Sequence, residues 1–502
     1  MPTTAPPHSP VIQALARSRL GVPAVTAFVL AAAAPLTVVA GSAATGFAVT
    51  GFVGVPVVYL TVGVLLAVFS AGYVAMARHV RQAGGFYTYV TLGLGRVPGV
   101  GAALVTQLGY NCLQISLYGA FGAVAADLAR AGGWHLPWWL CAGAAWALVA
   151  VLGLRSVRVN GRVLGALLVL ELAVVVVFDL AMVSHPAAGG VTLTALSPAH
   201  LADPGAIAIL VGGLAGFVGY EATVVFAEEV RDPRRTVALA TYLALGLIAT
   251  LYALSTWAMT VAAGPAHVVA AAREHDADLF FALAAPHLPA ALVDLGRLLL
   301  LTSLFAALVA FHHMIARYTF SLAREGLLPA ALGRTGRLTG APVHGSLLQS
   351  GLALTVLGIF AGAGLDPIRH LFFTGGVTGG LGVLVLMAAT SVAVVGYFAR
   401  DGRGEPVWRR VTAPTVAAAV LVTVLVVTVA GFGALLDLPG DSPLRWLLPA
   451  GYAVAATAGA GWALILRATR PRVYAAIGLG PDSVTVVAAT PSGARRPDPV
   501  RA

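Results

Sequence analysis

Two acidic residues occupy stretches of sequence where acids are rare. Glu171 sits in "ALLVLELAVVVVFD" (Ala166 to Asp179), and Glu221 follows the glycine-rich "GGLAGFVGYE" that begins at Gly212. A charged group at the centre of a bilayer costs at least about 2.5 kcal/mol, so such residues face a cavity or a partner and mark an ion or proton path. Each glutamate is therefore either a coupling group or a structural acid hydrogen-bonded to a neighbouring helix, and Glu221 could instead order a gate. Asp179, nearer the end of its run, suits a solvated mouth. The residues around them weaken a helix. Gly212, Gly213, Gly216 and Gly219 crowd one run, and Pro35 interrupts another, "AAAAPLTVVAGSAATG" (Ala31 to Gly46), where it lacks an N–H and its ring opposes the regular turn. A broken helix exposes N–H groups that suit a carboxylate and carbonyls that suit an ammonium group. Ligand contacts are expected from Ala34, Pro35, Leu36 and Thr37 and from Ala215, Gly216, Phe217, Val218, Gly219 and Tyr220. Phe217 either covers a bound ligand or simply packs.

The elements that must position these groups are membrane helices. Residues are 59% hydrophobic and only 10% charged, with a mean hydropathy of +0.89, and runs of about 20 apolar residues, enough to cross a bilayer, recur along the chain. The expected fold is an all-α polytopic membrane protein. Twelve spans are expected near 23–47, 54–77, 98–128, 136–154, 161–183, 206–228, 236–262, 289–318, 344–365, 372–399, 411–435 and 445–467. The first run is too long, and too closely tied to the run after it, for a cleaved signal peptide. Arginines gather in alternate short loops: Arg78, Arg81 and Arg96; Arg155, Arg158 and Arg162; Arg317, Arg324, Arg334 and Arg337; and Arg400, Arg403, Arg409 and Arg410. By the positive-inside rule these loops, and both termini, are cytoplasmic.

Several function classes are disfavoured. The formal net charge of +10 is spread over short loops between spans, which suits topology and anionic lipid rather than nucleic acid. Cys112 and Cys141 have no metal-ligand spacing. No phosphate-cradling glycine-rich lysine motif is present, and the chain contains no lysine at all. Transport would then run on a gradient or on exchange. A membrane enzyme would need a clustered nucleophile, metal site or acid–base pair, and the histidines are scattered.

The interrupted spans are the first and the sixth, at matching places of two five-helix halves, 23–183 and 206–399. That arrangement points to an inverted-repeat secondary transporter with its site at mid-membrane; the alternative is a simple proline kink and glycines that let helices approach. Residues 411–467 add two helices, and 1–22 and 468–502 are cytoplasmic tails. Gln107, Tyr110, Asn111, Gln114, His312, His313 and the "FFTGGVTGG" run from Phe372 to Gly380 either line the site or join helices. Glu229, Arg231, Asp232, Arg317 and Arg324 form either a salt-bridged inner gate or an exposed charge network of little energy.

Four stretches in order carry a resemblance. "AAAAPLTVVAG" stands where a first-span break belongs; "AGGFYTYVTLGLGRVPG" (Ala83 to Gly99) comes after span two; "GFVGYEATVVFAEEVRDPRRT" (Gly216 to Thr236) ends span six; and "ARYTFSLAREGLLP" (Ala316 to Pro329) ends span eight. Together they resemble the amino acid–polyamine–organocation superfamily, specifically bacterial amino acid permeases with the leucine-transporter fold, over residues 20 to 465. The resemblance implies a secondary active transporter of amino acids or related amines in the cytoplasmic membrane, working by alternating access and importing with protons. An exchanger or uniporter of the same fold is the alternative. A polyamine carrier is less well supported, because Glu221 is the lone acid in the expected site, and a channel or receptor is remote. The implied partners are a small-molecule substrate, membrane lipid and a proton or sodium ion; no cofactor, metal or nucleic acid is expected. The chain departs from the family in three places. Its first break is built on Ala34, Pro35, Leu36 and Thr37 rather than glycines, Glu325 replaces an aspartate, and Glu171 stands where several proton-coupled relatives carry a lysine.

Overall fold

The computed structural model describes residues 21–480 and 483, apart from 81–84, 156, 227–229, 231, 276, 277, 337–339 and 437. Each expected span has a helical counterpart. Among the described residues, ten helices are long and apolar enough to cross a membrane: Val22–Thr50, Val55–Ala77, Arg96–Ala131, Gly165–Ser184, Arg234–Ala263, Ala290–Arg324, Val343–Gly362, Pro367–Arg400, Trp408–Ala430 and Leu444–Thr469. Two shorter apolar helices, Trp138–Gly153 and Ile209–Val224, hold the fourth and sixth places. With no water in the hydrocarbon to bond to, the backbone must satisfy its own N–H and C=O groups, and the helix does so within a single segment.

Helix starts share one device. Asp203, Asp232 and Asp366 each precede a proline, and their side chains accept backbone N–H groups of Gly205 at 2.7 Å, Arg235 at 3.4 Å and Arg369 at 2.6 Å. An aspartate at the N-cap and a proline at the first helical position suit a helix start, because proline has no N–H to leave orphaned there. Asp232, expected in a gate, is thus the exposed cap of span seven.

Packing places the broken spans at the centre. Span one lies against spans five, seven and eight, and span six against spans two and ten. The 36-residue third span touches spans four, eight, ten and twelve, forming a strut along one side. Span five is anchored twice to its neighbours, at Glu171 and at Asp179. The Asp179 carboxylate accepts the Ser255 hydroxyl of span seven at 2.7 Å, and its other oxygen is buried. Asp179 is itself partly exposed, near the end of its run, and a hydroxyl on the adjacent helix holds it there.

The chain does not leave the bundle where span twelve ends. A short helix, Pro471–Ala476, comes next, and the turn after it wraps the fully buried Glu325 at the end of span eight. That carboxylate accepts the N–H groups of Gly478 at 2.7 Å and Gly480 at 2.9 Å, and the hydroxyl of Tyr87 from the helix Gly85–Leu94. Burial pushes the Glu325 carboxyl above its ordinary range, opposed by these three donors. Residues 471–480, which the sequence assigns to a tail, are therefore a packed part of the fold. Glu325→Ala leaves three buried donors without an acceptor, and the segment should detach. Tryptic cleavage after Arg472 is expected to accelerate several-fold in the variant; an unchanged rate contradicts this role for Glu325.

Candidate functional site

The site grows from two places where a helix gives up its own hydrogen bonds. In span one the helix Val22–Ala33 stops at Ala34, which is left-handed with φ 46° and ψ 66°. Pro35 brings no N–H, a single turn follows, and Val38–Ala43 is wound as a wider π-helix before the regular helix resumes at Ala44. This leaves the Leu36 N–H without a helical acceptor. Glu171 supplies one: its Oε1 accepts from Leu36 N at 2.8 Å and from the Ser303 hydroxyl at 2.9 Å. Glu171 is 3% exposed, so it is a buried acid held by spans one and eight together.

In span six the helix Pro204–Gly216 ends, Phe217 to Gly219 form a turn, and a tight helix runs from Tyr220 to Phe226. Gly219 has φ +114°, and a Cβ there would sit 2.8 Å from Ala32 Cβ and 3.1 Å from Ala33 N. Only glycine tolerates both that backbone and that approach, so the two breaks touch at this point. Glu221 again serves the break. Its Oε2 accepts the Gly219 N–H at 2.9 Å and its Oε1 the Tyr110 hydroxyl at 3.0 Å, while its own carbonyl accepts the Tyr73 hydroxyl at 2.9 Å.

Tyr252 of span seven joins the two. Its hydroxyl lies 3.2 Å from Ala33 O and 3.0 Å from Gly216 O, one carbonyl from each break. Sequence reasoning missed it, because a tyrosine inside an apolar span looks like packing until its neighbours are known. Phe217 lies with its ring centroid 5.3 Å from that of Tyr252 and 6.4 Å from that of Tyr59, fully buried; of the two readings left open for it, packing is the one this arrangement adopts.

A cavity of about 500 Å³ opens against these breaks. Of the expected contact residues, Ala34, Thr37, Ala215, Gly216 and Val218 line it; Pro35, Leu36, Phe217, Gly219, Tyr220, Tyr110 and Asn111 are not part of its lining. Tyr59, Ser116 and Phe311 line it too, and so do Phe372, Phe373 and Gly376 from the run the sequence singled out. Thr37 is among the wall residues, and its hydroxyl is buried with no hydrogen-bond partner. The cavity continues toward Thr50, Val55 and Leu435, at the end of the bundle away from the arginine-rich loops. Next to Glu221, whose carbonyl Tyr73 bonds, lies an aromatic layer in which Tyr73 packs on Phe69 at 5.2 Å, Phe86 at 5.9 Å and Tyr89 at 5.0 Å between ring centroids.

The remaining candidates make hydrogen bonds and ring contacts around the site. Asn111 donates to Gln107 O at 2.7 Å, one turn back. Gln107 donates to Thr319, and Gln114, Gln349, Ser346 and His312 form a buried chain linking spans three, eight and nine. Arg317 is 2% exposed and donates to His313 O at 3.1 Å, and the Arg324 guanidinium lies 5.3 Å from the Phe320 ring centre. Glu229 and Arg231 lie outside the described residues.

Removing one hydroxyl tests whether the breaks need side-chain support. Tyr252→Phe keeps the ring but removes the one proton that two buried carbonyls share, at a cost of about 1–3 kcal/mol. The melting temperature of the purified protein in detergent is expected to fall by several degrees, and an unchanged value contradicts the assignment.

A search of curated proteins finds no match to the chain. The family described as amino acid permease matches residues 20–455, nearly the whole membrane portion and both breaks. This chain is a member of the amino acid permease family, and so a transporter of amino acid type.

Proposed function

We propose that the protein imports an amino acid across the cytoplasmic membrane by alternating access, coupled to protons. The observation that carries this reading is the meeting of both helix breaks at one cavity wall, with Ala34 and Thr37 on one side and Ala215 and Gly216 on the other. Backbone groups and the unpartnered Thr37 hydroxyl suit the carboxylate and ammonium of an α-amino acid. With both termini cytoplasmic, the cavity faces outward and the aromatic layer is the closed inner gate, backed by Arg317 and Arg324. The halves 23–183 and 206–399 then act as inverted repeats that rock about the breaks.

Proton coupling fits Glu171 best. Its carboxylate grips Leu36 N, so neutralising it weakens the hold on the first break, and a proton there can change the conformation of the substrate wall. Glu221 bears the same relation to Gly219 and is the second candidate. No lysine exists to serve instead.

The test is uptake of labelled amino acids into proteoliposomes with and without an imposed proton or sodium gradient. Accumulation driven by an inward proton gradient is expected, and no uptake or exchange of any amino acid under any gradient contradicts the proposal. In Glu171→Gln, proton-driven accumulation should drop to background while counterflow survives. Equal loss of both would show that Glu171 only supports the break.

A further inference from the structure

We infer that the transported amino acid carries a large uncharged side chain, aromatic or branched apolar; this rests on the amino acid reading above and narrows it. Among the described residues, the cavity wall includes no aspartate, glutamate, arginine or histidine, and the chain has no lysine. The wall's polar atoms beyond the backbone are hydroxyls, such as those of Thr37, Ser116 and Tyr59. A charged side chain brought into such a place loses its water and gains no counter-ion, which is strongly unfavourable.

The nearby acids do not change this. Glu171 and Glu221 stand behind the wall, and their carboxylate oxygens accept from Leu36 N, Ser303, Gly219 N and Tyr110. A lysine-like or diamine substrate would have to strip those bonds from the broken helices to find a partner. Nor do Arg317 and Arg324 reach the wall to meet an acidic side chain.

Size and shape point the same way. The cavity's volume of about 500 Å³ includes its path toward Thr50 and Leu435, and it leaves room next to the breaks for more than a methyl side chain. Phe311, Phe372 and Phe373 also line the cavity, Phe311 packed on Tyr110 near the span-six break, and a substrate ring can pack against them edge or face. Gly376 keeps the cavity wide: a Cβ placed on it meets nothing closer than Ser116 Oγ at 3.9 Å. Gly380, one turn further on, serves a different end, since its Cβ would press on Ala215 Cβ at 2.9 Å and push span ten away from span six.

The experiment measures initial uptake of labelled phenylalanine, leucine, alanine, lysine and glutamate by the full chain in proteoliposomes, and repeats it with Gly376→Leu. Phenylalanine and leucine are expected to exceed lysine and glutamate at least tenfold in kcat/KM, and Gly376→Leu should shift the phenylalanine-to-alanine ratio at least tenfold toward alanine. Preferred uptake of lysine or glutamate overturns the inference and leaves the amino acid reading standing. Uptake of none of the five overturns the inference, and the amino acid reading falls with it only if no other amino acid is taken up or exchanged under any gradient. Because the wild-type ranking decides the matter by itself, a poorly folding Gly376 variant does not rescue a wrong assignment; a well-folded variant with an unchanged ratio overturns the placement of the side chain beside span ten.

Discussion

A peptide group left without a hydrogen-bond partner in hydrocarbon costs several kcal/mol, and this protein exposes peptide groups at two places in the middle of its bundle. The rest of the interior is arranged around that need. Glu171 meets the stranded N–H of Leu36, Glu221 meets that of Gly219, and the single hydroxyl of Tyr252 reaches Ala33 O and Gly216 O at once. Tyr73, Tyr110 and Ser303 then hold the two acids and their backbone in place from spans two, three and eight. The breaks are thus shaped by side chains from five other spans, and a shift in any of those spans is felt at the substrate wall.

The character of the cavity is a consequence. Because the acids are turned toward backbone, they do not charge the wall. Because Gly219 lets span six touch Ala32, the two breaks form one continuous surface rather than two separate ends. In the proposed reading a zwitterionic backbone is recognised at the breaks and an apolar side chain beyond them, with the aromatic layer around Tyr73 closing the path on the far side. Phe217 contributes by fixing Tyr252 and Tyr59 from behind.

Much of the architecture is legible from residue types, because hydrocarbon allows few choices: long apolar runs must be helices, and Pro35 and the glycines before Glu221 cannot sustain regular ones. The contacts between spans are harder to read. Glu171 is recognisable as an acid in the wrong solvent, yet nothing in its neighbourhood along the chain names Leu36, 135 residues away. Tyr252 and Tyr59 resemble any buried aromatic until span seven is placed beside the breaks. Asp232 draws notice for its charge, whereas the proline after it marks a helix cap. Likewise the stretch after span twelve reads as polar and loose, and packs because Gly478 and Gly480 can offer their N–H groups to an acid contributed by span eight.

If the two breaks act as one binding surface, amide hydrogen exchange reads it directly. In lipid nanodiscs, saturating the protein with an amino acid that it transports should slow exchange in segments 33–38 and 215–221 together, with smaller changes elsewhere in the spans. Protection confined to one segment, or appearing only at the loops while both breaks exchange as before, would contradict the account.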